Sequence, residues 1–293
     1  RVSAGSRMPR CFLMVICMLV GLRMMSQAQI SVNVADFGAK GDAVQFYVNT
    51  TAGSALVTTT NKLSTADIGK TIEIFRVGKP TYGVNSYGVT TNDWQDIVGI
   101  ITNVVNSTNL YVQVQPHDGT NLVFLPQRTL TGVWATYGTD NTSAFSNAIA
   151  SVSGYTNATI NILNGTYLLM PAHRAWPGRG YGYGSIIITR GGLHIKGESR
   201  DGTILLSRGA WQNYAGSTYP YRGFLFEACS PIVNNYPLII DSLTLDGGVQ
   251  QGNLDVHGIQ CNPVDGLGWD EQHSAYLTCD NGNNTGAIIQ QVL

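Results

Sequence analysis

Val34-Ala35-Asp36-Phe37-Gly38-Ala39-Lys40-Gly41-Asp42 and Thr139-Asp140-Asn141-Thr142-Ser143-Ala144-Phe145-Ser146-Asn147-Ala148-Ile149 are the two stretches whose joint reading decides the fold. Before the first lies Ile30-Ser31-Val32-Asn33-Val34, where apolar and polar residues alternate as in a half-buried strand. The second opens a helix. Its Phe145, Ala148, Ile149 and Val152 fall on one face, and Asp140 or Thr142 stands where a helix start is capped.

Downstream the chain reads as short β segments. Residues 158–163 and 166–169 flank the turn Asn164-Gly165, and 185–189, 192–196, 203–206, 223–226, 238–245, 256–260 and 286–290 follow. Gly, Asn and Asp turns separate them, and no further amphipathic helix of useful length occurs. Such strands suit a solenoid whose coils bury their apolar sides on one another, and they suit a β-sandwich as well. Composition agrees with either. Of 293 residues 34 are Gly and 12% are charged, against about 25% charge in ordinary domains. An apolar content of 43% argues against disorder. The balance of 17 basic and 18 acidic residues excludes a basic nucleic-acid-binding surface.

The two opening stretches, joined, resemble the start of the pectate-lyase-like right-handed parallel β-helix family, which includes polygalacturonases, rhamnogalacturonases, epimerase-like domains and phage tailspikes. Asn164-Gly165-Thr166-Tyr167, Leu193-His194-Ile195-Lys196-Gly197-Glu198-Ser199 and Leu243-Thr244-Leu245-Asp246-Gly247 are similar to its later landmarks. The resemblance implies an all-β right-handed parallel β-helix, a solenoid whose N-terminal helix covers exposed strand edges. In that setting Asp36, Gly38, Gly41, Asp42 and Asp140 are structural rather than catalytic. Residues 43–138 interrupt the motif, and their β-like runs at 54–60, 71–75, 97–105 and 109–114 are expected to form a small inserted all-β domain. The expected organisation is thus a signal at 1–28 (with upstream residues 1–7), the first strand and opening motif at 29–42, the insert at 43–138, and the helix with the first coils at 139–293. The sequence stops at Leu293 within an apparent strand, so the solenoid is expected to be incomplete there.

The signal is read from Met8-Pro9-Arg10, the apolar run Cys11–Leu22 and the small-x-small site Ser26-Gln27-Ala28. That run is shorter than the ~20 residues that span a bilayer. Export implies a secreted protein with no membrane attachment once the signal is removed. Loss of Arg1, Arg7, Arg10 and Arg23 then moves the net charge from −1 to −5. Cys229, Cys261 and Cys279 remain, an odd number. An oxidising compartment permits a Cys261–Cys279 bridge, and burial as small apolar residues is the alternative. The spacings among His257, Cys261, His273 and Cys279 match no zinc pattern, and no metal site is read.

The candidate catalytic groups are Asp246, Asp255, His257, Asp270, Glu271 and His273, with Asp265 between them. Paired carboxylates across a glycosidic bond supply acid and base or nucleophile, and His shuttles a proton. The same acids also suit turns, and the resemblance places the family's catalytic coils near or beyond Leu293. Two aromatic segments are candidate glycan binders: Arg174, Trp176, Arg179, Tyr181 and Tyr183 in a loop over 173–184, and Trp211, Tyr214, Tyr219, Tyr221 and Arg222. Their rings suit sugar faces and their cations suit uronates. Tyr82, Tyr87 and Trp94 of the insert are further sugar-facing candidates. The resemblance implies a secreted enzyme degrading pectin-like or other acidic polysaccharides. A hydrolase needs no cofactor and a lyase uses Ca²⁺, a choice the sequence leaves open. The other reading is a non-catalytic glycan-binding, adhesin-like or tailspike-like protein with the insert as recognition module.

Overall fold

The structure is a computed structural model. It describes residues 30–78, 80–84, 90–94, 96–114, 125–170, 174–176, 180–182, 184–188, 192–207, 223–229, 238–246, 256–262, 278–279 and 287–292. In chain order the strands begin with β1 (Ile30–Asn33), β2 (Val44–Thr50), β3 (Leu56–Thr59), β4 (Thr71–Ile74), β5 (Pro80–Val84), β6 (Thr90–Trp94), β7 (Ile97–Asn106), β8 (Asn109–Val114) and β9 (Leu130–Gly138). The helix α1 (Thr142–Ser151) follows, then β10 (Ala158–Ile162), β11 (Gly165–Leu169), β12 (Arg174–Trp176), β13 (Gly180–Gly182), β14 (Gly184–Ile188), β15 (Leu193–Gly197) and β16 (Thr203–Ser207). The last are β17 (Gly223–Cys229), β18 (Leu238–Asp246), β19 (Val256–Asn262), β20 (Thr278–Cys279) and β21 (Ala287–Val292).

Six antiparallel strands close on themselves in the order β2-β3-β8-β7-β4-β9, so this barrel has no free edge. Side-chain alternation sets its inside. Leu110, Val112 and Val114 of β8 point inward with Phe46, Val48, Val57, Ile72, Ile74, Ile101 and Tyr137, while Tyr111 and Gln113 point out. Phe46 and Tyr137 meet edge to face at 5.0 Å within that core.

The second body is a parallel sheet. Val32, Ile160, Ile195, Ile240 and Ile289 stand in register across β1, β10, β15, β18 and β21. Phe145, Ala148, Ile149 and Val152 of α1 are buried in the same core as the described members of that row, and Phe145 meets Tyr167 edge-on at 5.8 Å. A four-stranded ladder β14-β17-β19-β20 and two hairpins, β5–β6 and β12–β13, complete the described strands. β12–β13 pairs Ala175 with Tyr181 where the sequence suggested a loop. Cys261 and Cys279 are register neighbours on β19 and β20.

The expected right-handed parallel β-helix is corrected here. The chain is all-β with one α-helix among the described residues. Its two main bodies are the closed antiparallel barrel and a curled parallel half-barrel, not a solenoid of repeated coils. The cause lies in β18. Leu238–Asp241 pair with β15, while Thr244–Asp246 pair with β16, so two parallel ladders become one seven-stranded sheet. The bend between them falls at Ser242, whose φ of +58° lies in the left-handed region. A Cβ on the neighbouring Gly197 would overlap the Ser242 carbonyl oxygen, so only glycine fits against the bend. Inward Ile and Leu with Gly/Asn turns describe a curled sheet as well as a coil, which is why the pattern misled.

Both ends of the barrel segment are fastened to β11. Asp42 bridges Thr166 and Asp140 bridges Leu168, each in parallel. Asn141, fully buried, accepts the Lys40 amide at 2.7 Å and donates to the carbonyls of Lys40 (3.0 Å) and Thr139 (2.9 Å). Asp140 accepts the Thr142 amide at 2.9 Å, and Gly38 closes the 3₁₀ turn Val34–Phe37 at φ +92°. The Asp42 carboxylate accepts the Thr139 amide (2.9 Å) and hydroxyl (3.0 Å) and pairs with Lys70 (3.1 Å). Lys70 also reaches Asp67 at 3.0 Å and lies 5.4 Å from the Tyr137 ring centre. Val98, Leu168 and Met170 form a small apolar cluster between barrel and sheet, with Ala43 against it.

Burial alone would raise the Asp42 carboxyl. The Thr139 amide, the Lys70 ammonium and the Thr139 hydroxyl outweigh it and hold the group below its ordinary value. A depressed carboxylate stabilises the fold above its unfolded pKa, and that contribution is lost as pH falls through the folded one. Asp42→Asn should therefore cost about 1–3 kcal/mol at pH 7. The gap from the unmodified protein should narrow at about pH 3, below the ordinary Asp value of about 3.9. Urea denaturation at both pH values checks this, and a gap that is independent of pH contradicts it.

Candidate functional site

Of the sequence-nominated acids, Asp246 at the end of β18 is fully described. Its Oδ2 accepts Gln45 Nε2 from the barrel strand β2 at 3.2 Å, so it lies where barrel and sheet meet. His257 sits on β19 opposite Phe224 of β17. Asp255, Asp265, Asp270, Glu271 and His273 lie outside the described residues. Arg174, Trp176 and Tyr181 are carried by the β12–β13 hairpin, in which Trp176 pairs with Gly180. Arg179, Tyr183, Trp211, Tyr214, Tyr219, Tyr221 and Arg222 lie outside the described residues, as do Tyr87 and residues 1–28, which the sequence reads as a signal. Tyr82 is on β5, and the Trp94 ring of β6 lies under the Arg128 guanidinium at 4.6 Å.

The outer wall of the barrel carries aromatic residues that sequence reading did not nominate. Tyr47 of β2 stands opposite Trp134 of β9, and their rings meet edge-on at 4.7 Å. Tyr47 is 57% exposed, and the Trp134 indole nitrogen has no hydrogen-bond partner among the described residues. On the far side of the barrel from β9, Tyr111 of β8 is 41% exposed, between Leu56 of β3 and Asn103 of β7. The other outward residues of these strands include Asn49, Thr58, Asn103, Asn109 and Gln113, all neutral amides or hydroxyls. Aromatic rings beside neutral hydrogen-bonding groups suit a ligand that has apolar faces and many hydroxyls.

A second cluster joins a histidine to a carboxylate. His194 Nε2 lies 2.6 Å from Asp241 Oδ2 across β15 and β18, with the Asp241 side chain 8% exposed and His194 26% exposed. Lys196, two residues along β15, is in register with Asp241. Forty-seven residues separate His194 from Asp241, so only strand pairing brings them together. Among the described residues no three His, Cys, Asp or Glu side chains gather as a metal site. Nor is any described helix long and apolar enough to cross a membrane.

No family model matches the chain, and no curated protein matches it, so the resemblance of the opening motif does not become family membership. Among solved structures it is similar to ORF18 of Geobacillus virus E2, with 15% identity and a TM-score of 0.33 over 87% of this chain and 27% of that one. It is also similar to the tailspike protein gp49 from Pseudomonas phage LKA1, with 7% identity, a TM-score of 0.24, and 74% and 33% of the two chains covered. A third is the Pseudomonas phage phi297 tailspike gp61, with 11% identity, a TM-score of 0.21, and 90% and 37% covered. The chain thus spans between 27% and 37% of the length of these structures.

Removing His194 leaves a nearly buried carboxylate without its imidazole partner, whereas removing both residues does not. His194→Ala should lower stability by about 1–3 kcal/mol. The His194→Ala/Asp241→Ala double variant should be less destabilised than the sum of the single variants, by about 0.5–3 kcal/mol. Urea midpoints for the four proteins test the pairing, and strict additivity contradicts it.

Proposed function

We propose that this is an exported glycan-binding protein whose barrel wall is the recognition surface. The observation that carries the reading is two exposed tyrosines on the outside of a closed barrel, Tyr47 against Trp134 and Tyr111 opposite Asn103, among neutral amide and hydroxyl side chains. Sugars present CH faces that pack on rings and hydroxyls that both donate and accept, which Asn, Gln and Thr match. The barrel suits recognition because closure fixes its outward side chains on rigid strands. Export, read from residues 8–28, puts the protein where extracellular polysaccharides are met. The other reading, cleavage of an acidic polysaccharide, depends on the acids between Asp246 and His273 acting together.

One set of incubations tests both. Affinity electrophoresis of the full chain through gels containing neutral and acidic polysaccharides should show retardation by at least one of them. Free migration in every gel would sink the binding reading. Reducing ends, or unsaturated uronates absorbing in the ultraviolet, released from polygalacturonate would favour the enzyme instead.

A further inference from the structure

We infer that a shallow depression on β3, β7 and β8 is a subsite for an uncharged sugar residue, with Tyr111 as its stacking platform. The inference rests on the glycan-binding reading and names the class of ligand. The depression measures about 510 Å³ and is lined by Tyr111, Asn103, Gln113, Thr102, Leu125 and Ala55, together with two valines. Small-ligand sites commonly enclose about 300–1,000 Å³. Tyr111 and Gln113 are two apart on one strand, so they project on the same side. Asn103 faces Tyr111 across a register shift in β7 that moves this part of the strand out of simple alternation.

The amides separate a ligand site from ordinary scaffold. Asn49 accepts the Gly132 amide at 2.9 Å and donates to Thr58, and Asn106 accepts the Thr108 amide at 2.9 Å, so both are engaged in shaping the barrel. The side-chain amides of Asn103 and Gln113 and the Tyr111 hydroxyl have no hydrogen-bond partner among the described residues, and all three border the depression. Thr102 Oγ1 donates to the Tyr111 carbonyl at 3.3 Å, which leaves its lone pairs for a donor from outside. Two amides, each able to donate and accept, fit neighbouring hydroxyls of a pyranose lying on the Tyr111 ring.

Charge fixes the class of sugar. None of the described lining residues is Lys, Arg, His, Asp or Glu. A uronate carboxylate settled there would lose water without gaining a cation from the described lining residues, which is unfavourable. A neutral residue has no such penalty. The inference thus departs from the acidic polysaccharides suggested by Arg174, Arg179 and Arg222.

The test is saturation-transfer NMR and calorimetric titration of the full chain with cellotetraose, maltotetraose, xylotetraose, mannotetraose and tetragalacturonate. At least one neutral probe should bind. Tyr111→Ala should weaken it about tenfold, Tyr111→Phe should leave it within about twofold, and Asn103→Ala/Gln113→Ala should weaken it several-fold. Tyr111 is exposed, so unchanged circular dichroism and melting temperature will accompany these variants if they fold normally. Tyr47→Ala is the control. If it abolishes binding while Tyr111→Ala does not, glycan binding stands and this subsite falls. Binding of tetragalacturonate alone overturns the assignment to uncharged sugars. If no probe binds and no polysaccharide retards the protein, the glycan reading fails and the subsite with it.

Discussion

A chain that leaves a parallel sheet at Asp42 and returns at Asp140 must satisfy its backbone at both points without opening the sheet. Asn141 solves this with one buried side chain that holds the Lys40 amide and the carbonyls of Lys40 and Thr139. Because Asp42 and Asp140 both bridge β11, departure and return are neighbours. A Cβ at Gly41 would lie 2.7 Å from the Gly165 Cα, and one at Gly138 would lie 2.7 Å from the Ala43 Cα. The crossing is therefore so close that glycines are required there, and α1 can start immediately afterwards.

From this clasp the rest of the architecture follows. The Lys70 ammonium gathers Asp42 from the opening segment and Asp67 from the barrel, while Val98, Leu168 and Met170 bury apolar area between the two bodies. Gln45 reaches Asp246 across the same boundary. Glu73, on the barrel strand β4, is completely buried and engaged. Such a junction resists relative motion, since separation would expose both the apolar cluster and paired charges.

Much of the local structure was legible. The turn at Gly38 and the buried face of α1 follow from residue types at short spacing, where one element determines its own geometry, whereas the helix N-cap is Asn141 rather than the expected Asp140 or Thr142. Inward Ile160, Ile195 and Ile240 were legible too, because a period of two tells which side of a strand is buried. It does not tell which strands are neighbours. β18 passes from the β15 ladder to the β16 ladder at Ser242, a serine and not a glycine that adopts a left-handed φ, and nothing in its type announces this. The proposed glycan surface was hidden for a similar reason. Tyr47 and Tyr111 sit in ordinary alternating strands, and only closure of the barrel makes their side the wet one. His194 and Asp241 carry no joint signal at all until β15 and β18 pair.

The scarcity of charge in the composition bears on the barrel wall. Where acids and bases of the barrel are described in detail, several are engaged internally: Asp67 with Lys70 and the Ser64 amide, Asp96 with the Arg76 amide, and Arg128 with the Arg76 carbonyl and the Trp94 ring. The strands β3, β7 and β8 then present amides, hydroxyls and rings to solvent. The side chains of these three strands carry no charge, so they offer contact without long-range steering of their own. A ligand held there gains from ring contact and from hydrogen bonds with matched direction, both of which reward shape over charge. On the parallel sheet, by contrast, His194, Lys196 and Asp241 present titratable groups within one patch. The two bodies thus offer surfaces of different chemistry, held in one orientation by the clasp at Asn141 and Asp42.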